Sequence, residues 1–327
     1  MGFKTTDGLM RHLRNDKGIQ IGGSSEKRQL SNIGYFHGYK GYRFFKRASN
    51  PIPFDSFKDI YNTVQFDSKI KSIIYPELMF IETAIKSRSI ESVVLNANSE
   101  DIQVILDTLI ESYKNSPENI PPTIKRKKQE AKMELQSTIQ HIILDAYKHK
   151  NPQITHFIDS PSKRGVPLWA LIEVMTLGNF GKFLSCLTFN VRKDISIKMN
   201  MQSSMDTNCE FLHKFVWLLK DLRNAVAHNS PVFDTRFRKF DPSRAMKGYL
   251  ASQTHLPFVK FDNIGDYIIL IAFILKILGL SKTHIKSFLR SYKSACQSYE
   301  KSVAHDVSHR VLPHGIYSRI SIVSKSI

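Results

Sequence analysis

The chain has 327 residues, is 42% hydrophobic, and sets 47 Lys and Arg against 29 Asp and Glu, a formal charge of +18 at pH 7. That apolar content supports a sizeable core and excludes wholesale disorder. The charge draws polyanions, with nucleic acid favoured over an anionic membrane surface and over a merely soluble basic protein. Three widely separated cysteines, Cys186, Cys209 and Cys296, form no CxxC or Cys/His cluster, which argues against a disulfide framework or structural zinc and for a reducing cytoplasm.

Residues 1–50 form a basic and aromatic N-terminal segment. Thr6 to Asp16 reads as a short helix and Gly18 to Ser25 as a loop. Lys40, Arg43, Lys46 and Arg47 alternate with Tyr35, Phe36, Tyr39, Tyr42, Phe44 and Phe45. Cations interleaved with rings suit single-stranded RNA, where bases stack and cations follow phosphates. We assign these four cations to RNA and expect Phe36, Phe44 and Phe45 to pack onto the core.

Pro51 and Pro53 mark a boundary, and Asp55 is placed to cap the next helix. From Phe66 to Leu95 the apolar residues Ile70, Ile73, Ile74, Leu78, Ile81 and Ile85 repeat with helical period, with a kink expected at Pro76. Glu82 lies beside that stripe. A carboxylate there needs a cation, and Arg223 is a candidate partner; an exposed surface Glu is the alternative. Ser99 caps a helix running to about Tyr113, and Asn115 to Pro122 is a loop containing Pro117. A long helix follows, with Leu135, Ile139, Ile142, Ile143, Ala146 and Tyr147 on its apolar face. Lys125, Arg126, Lys127 and Lys128 open that helix against its dipole, which reads as phosphate contact or as a solvated charge run.

Asn151 to Val166 reads as an irregular connection containing Pro161. Pro167 to Leu177 is a helix carrying Trp169, expected in the core, and Glu173; it breaks at Gly178-Asn179 before a second helix, Phe180 to Phe189. Thr207 then caps a helix with Glu210 completing a capping box. In that helix Phe211, Phe215, Leu218, Leu219, Leu222 and Val226 form a buried stripe. Pro231 biases Ser230 away from helical dihedrals and ends the helix just after His228.

This ending gathers Arg223, Asn224 and His228. On an ideal helix Asn224 and His228 lie about 40° apart, whereas Arg223 and His228 lie roughly 140° apart and converge only through a long side chain or a loosened last turn. The helix dipole favours cations there. The bland reading is a capping His beside a solvated Arg, because Arg-x4-His is a commonplace spacing. Arg236, Arg238 and Lys239 follow as a second basic stretch. Tyr267 to Leu275 is the most apolar run, nine residues long; crossing a membrane takes about 20, so it is a buried core helix. Ser281 to about Val303 is helical, and residues 304–327 read as a basic, loosely held tail. The fold class is all-α. No Walker-type loop, GxGxxG or HExxH is present, and no cofactor or metal is expected.

RNAVAHN (Arg223 to Asn229) resembles the R-x(4–6)-H signature of the HEPN superfamily. LSNIGYFHGYKGYRFF (Leu30 to Phe45) and PLWALIEVMTLGNFGKFLSCL (Pro167 to Leu187) are similar to the N-terminal and Trp…Glu…Gly-x-x-Gly/Ser motifs of its bacterial abortive-infection branch. The first departs at Gly34, where that branch usually has Asn. FIETAIKSR, around Glu82, also looks like a helix of that branch. The resemblance implies a HEPN-like helical domain over residues 51–303 and a role in anti-phage defence.

Metal-independent RNA cleavage needs a base for the 2′-OH, an acid for the leaving 5′ oxygen and a cation on the phosphate. His228 suits proton transfer, Arg223 a phosphate clamp, and Asn224 an orienter, with Glu82 in support. A 2′-OH nucleophile confines cutting to RNA and leaves a 2′,3′-cyclic phosphate, so no DNA specificity is expected. One His cannot be base and acid at once; the resemblance implies a homodimer with two facing motifs. Two other classes stay open. One is an RNA-binding protein, silent or conditional in cutting, that holds a partner non-coding RNA. The other is a helical bundle acting through protein contacts.

Overall fold

The structure, a computed structural model, describes residues 4–116, 118–160 and 165–327. Pro117 and Pro161, both used above to place loops, lie outside the described residues. Within those residues the chain forms fifteen α-helices and one π-helical segment, with isolated β-bridges and no strand. The fold is all-α.

The chain divides into two compact units, residues 1–78 with 221–327, and residues 79–220. In chain order the helices are α1 (Thr6–Lys17), α2 (Gly23–Ile33), the π-helical segment Gly34–Lys40, α3 (Phe57–Ala97), α4 (Ile102–Thr108), α5 (Pro122–Lys148), α6 (Pro152–Ile158) and α7 (Leu168–Val174). They continue as α8 (Leu177–Cys186), α9 (Phe189–Lys198), α10 (Phe211–Ala227), α11 (Arg244–Gln253), α12 (Ile264–Ile277), α13 (Lys282–Ser302), α14 (His305–Val311) and α15 (Ile316–Ser326). The unit boundaries fall inside α3 and α10.

In the first unit α12 is the central element. Every residue from Ile264 to Leu275 is buried, as the apolar run requires, and α13, which buries Ile285, Phe288, Leu289 and Tyr292, packs on it. The end of the chain is not loosely held. Ile316, Ile320 and Val323 bury one face of α15, and Arg319 pairs with Asp266, a carboxylate of α12 that is 1% exposed. Asp266 also accepts from the Lys260 and Phe261 amides, so three donors offset the burial that raises its pKa. Alternating Lys, Arg and Ser between these apolar positions concealed the anchor.

The second unit is built around α5, which packs α6, α7 and α8. Several boundaries differ from expectation for one reason: a neighbouring short polar side chain took the cap. Asp101 accepts from the Gln103 and Val104 amides, so α4 starts there rather than at Ser99. Asn151 caps α6 inside the stretch expected to be irregular. Asp206, not Thr207, caps α10 by accepting from the Glu210 and Phe211 amides. In the first unit, likewise, Ser56 rather than Asp55 accepts from Asp59 at the start of α3.

The helix break expected at Gly178-Asn179 falls at Met175, and Thr176 caps α8 through the Asn179 amide. Gly178 and Gly181 are interior to α8, where they allow close packing instead of breaking the helix. A Cβ at Gly181 would sit 2.8 Å from the Trp217 ring and 3.2 Å from Val216. Gly181→Ala is therefore expected to lose about 1–3 kcal/mol of stability, read as a lower urea midpoint. Trp169 is 41% exposed and edge-on to Phe157, so it is not a core residue.

His213, on the second unit's part of α10, is 6% exposed and lies edge-on to Trp217 at 4.9 Å. Burial pushes its pKa from 6.5 down to about 4. The unfolded chain takes up this proton near its ordinary pKa while the folded chain refuses it until about pH 4, so the stability is complete above that ordinary value and drains as pH falls. Between pH 7 and 5 the loss from this group is about 2 kcal/mol. Urea titrations of wild type and His213→Leu at those two pH values should show the variant losing less.

Candidate functional site

The end of α10 is closed by a left-handed residue. Asn229 has φ 52°, the Ser230 amide donates to the Ala225 carbonyl at 2.8 Å, and the Asn229 amide donates to Val226 at 3.1 Å. This pair of bonds satisfies carbonyls that a helix end leaves open, and Asn is the non-glycine residue best suited to that conformation. His228 is thereby held at the cap, its amide donating to the Asn224 carbonyl at 2.9 Å. Asn224 and His228 are exposed and Arg223 is half-buried. Arg223 Nη1 donates to Asn224 Oδ1 at 3.4 Å. The structure therefore brings the three residues to one helix end.

The N-terminal aromatic segment folds against this same end. Gly34 has φ 70° and ψ 152°, a region open to glycine almost alone. The departure from Asn at this position therefore has a backbone reason. From Gly34 the chain winds as a π-helix to Lys40 and delivers Tyr42 to the core, where its ring stacks on Phe233 at 5.6 Å.

Two buried carboxylates fasten the join. Asp67 of α3 is fully buried and accepts from the Tyr42 hydroxyl at 2.8 Å, the Val232 and Phe233 amides at 2.8 and 2.9 Å, and the Lys71 ammonium at 2.8 Å. Burial and the Asp67 charge raise the Tyr42 pKa strongly, so its hydroxyl keeps the proton it donates. Asp234, also fully buried, accepts from the Lys46 amide at 2.7 Å and from Arg236.

The expected RNA-binding cations are placed unequally. Arg236 turns inward: Nε and Nη2 bind Asp234, Nη1 donates to the Gly41 carbonyl at 2.8 Å, and Nη2 donates to Phe44 at 2.8 Å. Its donors are used within the fold. Arg238 donates to the Phe261 carbonyl at 2.9 Å and pairs with Asp241 at 3.5 Å. Lys40, Arg47 and Lys239 are exposed, while Arg43 and Lys46 are half-buried. Burial lowers the Lys46 pKa. Arg126 and Lys127 are exposed in the second unit, Lys125 is half-buried, and Lys128 pairs with Glu111 at 3.1 Å. Glu82 also belongs to the second unit, half-buried, with Oε1 3.1 Å from Lys86, which donates to the Met175 carbonyl at 2.8 Å.

Four participants escaped the sequence pattern. His37 Nε2 lies 3.2 Å from Asn229 Nδ2, and Asn229 Oδ1 accepts from Lys71 at 2.8 Å. Phe36, expected in the core, is 76% exposed, with the Lys40 ammonium 5.1 Å above its ring. For Lys71 a signal existed. It sits four residues after Asp67, so the two place an acid and a base on one side of an apolar helix. For His37, Asn229 and Phe36 only the fold supplies the information.

The profile of the Abi-like protein family matches residues 28–234, more than half of the chain. It runs from just before the π-helical segment to Asp234, and so takes in His37, Tyr42, Asp67 and Arg223 to Asn229. The chain belongs to the Abi-like protein family. No curated protein and no solved structure matches it. Membership assigns this Abi-like protein to abortive infection. Among its described residues no helix is long and apolar enough to cross a membrane, and no three His, Cys, Asp or Glu side chains are grouped to hold a metal ion.

Proposed function

We propose that this Abi-like protein is a HEPN-type, metal-independent endoribonuclease that acts in the cytoplasm during abortive infection. The observation that carries this reading is the exposure of Asn224 and His228, with Arg223 beside them, at a capped helix end in a chain of charge +18. Arg223 clamps the scissile phosphate, His228 transfers a proton and Asn224 orients the pair. A homodimer with two facing motifs is the route by which the resemblance supplies a second histidine. The test is incubation of purified protein with single-stranded RNA in EDTA. Fragments ending in 2′,3′-cyclic phosphate support the reading, and intact RNA at high enzyme concentration removes it.

Phe36 favours a second reading, a ribonucleoprotein with a bound non-coding RNA. An exposed ring under an ammonium is a stacking platform for an unpaired base. Phe36→Ala is expected to weaken single-stranded RNA binding by about 1–3 kcal/mol and to leave duplex binding unchanged, measured by fluorescence anisotropy. One defined RNA that survives purification in ~0.5 M salt, which strips loose phosphate contacts, would favour the holding role.

A further inference from the structure

The first unit holds a groove that the trio at the end of α10 does not line. α13 runs antiparallel to the part of α3 that ends at Leu78, both within that unit. Asn62 Nδ2 donates to the Ser302 carbonyl at 2.7 Å near one end, and Glu77 meets the His284 ring at 3.0 Å near the other. Between these contacts Phe66 stacks on Tyr299 at 4.4 Å, and the Tyr299 hydroxyl shares a hydrogen bond of 2.8 Å with Thr63. α13 lies beyond the residues that the family profile matches, so membership assigns this groove no role.

The sequence of α13 explains why space is left above that floor. Ser287, Ser291, Ser294, Ser298 and Ser302 recur at spacings of three and four. On an ideal helix they fall within about 80° of arc and form a row about 22 Å long. The row lies on the flank facing α3, where side chains this small do not fill the gap between two packed helices, and a cavity of about 630 Å³ runs beside it.

The chemistry of the groove is one-sided. Lys69 lines it from α3 and Arg290 from α13, both exposed, and among the described residues no carboxylate lines it. Hydroxyls, an ammonium and a guanidinium all donate to oxyanions, and Arg fits phosphate with two prongs. Phe66 and Tyr299 are buried, so neither ring is free to stack a base. Donors repeated along a row match an anion that is itself repeated, which is a phosphodiester backbone rather than a lone phosphate. Packed helices have axes about 8–10 Å apart, and the gap between them admits one strand but not a duplex.

We infer that the groove between α3 and α13 holds the sugar–phosphate backbone of a single-stranded RNA, without regard to its sequence. This rests on RNA as the partner, which the nuclease and ribonucleoprotein readings share, and it adds a second contact surface to the first unit.

The test uses the full-length chain and a labelled single-stranded 2′-O-methyl oligoribonucleotide, which lacks the nucleophile and stays uncut. Affinity is read by fluorescence anisotropy across a salt series. Each phosphate neutralised on a single strand adds about 0.7 to the slope of log affinity against log salt. K69Q/R290Q is therefore expected to lower that slope by about 1.4 and affinity by about 10-fold or more, equally for two unrelated sequences. S291L/S294L fills the groove without touching a charge, and a comparable loss of affinity is expected with an unchanged melting temperature. K17Q/K325Q removes the same charge from exposed positions on α1 and α15 and should change affinity by less than about twofold. Binding of a duplex should not respond to K69Q/R290Q.

A folded K69Q/R290Q chain with wild-type affinity and salt slope would overturn the inference and leave both readings of function standing. S291L/S294L binding like wild type, or K17Q/K325Q weakening binding as much as the groove pair, would overturn it by reducing the effect to net charge. A duplex weakened as much as the single strand would overturn the single-stranded occupant. A wild-type chain with no affinity for RNA removes the readings of function and this inference together.

Discussion

Asp67→Ala is expected to destabilise the first unit by about 3–5 kcal/mol, a large share of the roughly 5–15 kcal/mol that holds a typical fold together. The carboxylate is fully buried and serves the Tyr42 hydroxyl, two backbone amides and the Lys71 ammonium. Removing it leaves the Val232 and Phe233 amides without their acceptor and a nearly buried ammonium without its counter-charge. Each buried donor left unmade costs about 1–3 kcal/mol, and the lone charge costs more. Lys71→Met is expected to cost less, because it removes charge and donors together while Asp67 keeps three other donors. Urea unfolding followed by tyrosine fluorescence and by circular dichroism would measure both variants. An Asp67→Ala midpoint equal to wild type would show that the clasp contributes nothing.

His228→Ala is expected to lower RNA cleavage by about 10²–10⁴-fold, the range that one positioned proton-transfer group contributes. Little stability should be lost, because the His228 ring is exposed and the helix end is closed by the backbone around Asn229. Arg223→Lys separates charge from geometry. The compact ammonium retains the charge but loses the two-pronged fit to phosphate, so kcat should fall while RNA affinity changes little. Initial rates on a labelled oligonucleotide, with melting temperatures as the control for folding, make the comparison. If both variants cut like wild type and remain folded, the α10 end is not where this protein acts on RNA, and the ribonucleoprotein reading gains.

Periodicity was enough for the all-α class, for the buried stripe of α10, and for α13 nearly to the residue, because each depends on local apolar spacing. Cap choice was harder to read. At the starts of α3, α4 and α10 neighbouring polar residues compete for the same amides, and only the folded backbone decides between Asp206 and Thr207. The trio at the end of α10 could be placed because its residues lie within one turn and a half of helix. The rest of the site could not. His37 and Asn229 are 192 positions apart, and nothing local in GYFHGYKGY distinguishes the inward Tyr42 from the outward Phe36. Arg236 misled for the same reason. A cation in a basic stretch reads as surface charge until a buried Asp234 and two carbonyls are found around it.

The length of these joins bears on when the protein acquires its working end during synthesis. His37 meets Asn229 across 192 positions, Lys46 meets Asp234 across 188, and Asp67 meets Val232 across 165. A ribosome makes the chain from its N-terminus, so no part of this assembly closes until the residues from Asn229 to Asp234 have emerged. Prematurely terminated or ribosome-stalled chains that stop short of α10 carry the aromatic segment without the residues that complete it. The join is therefore assembled only after α10 has been made, and shorter fragments lack it.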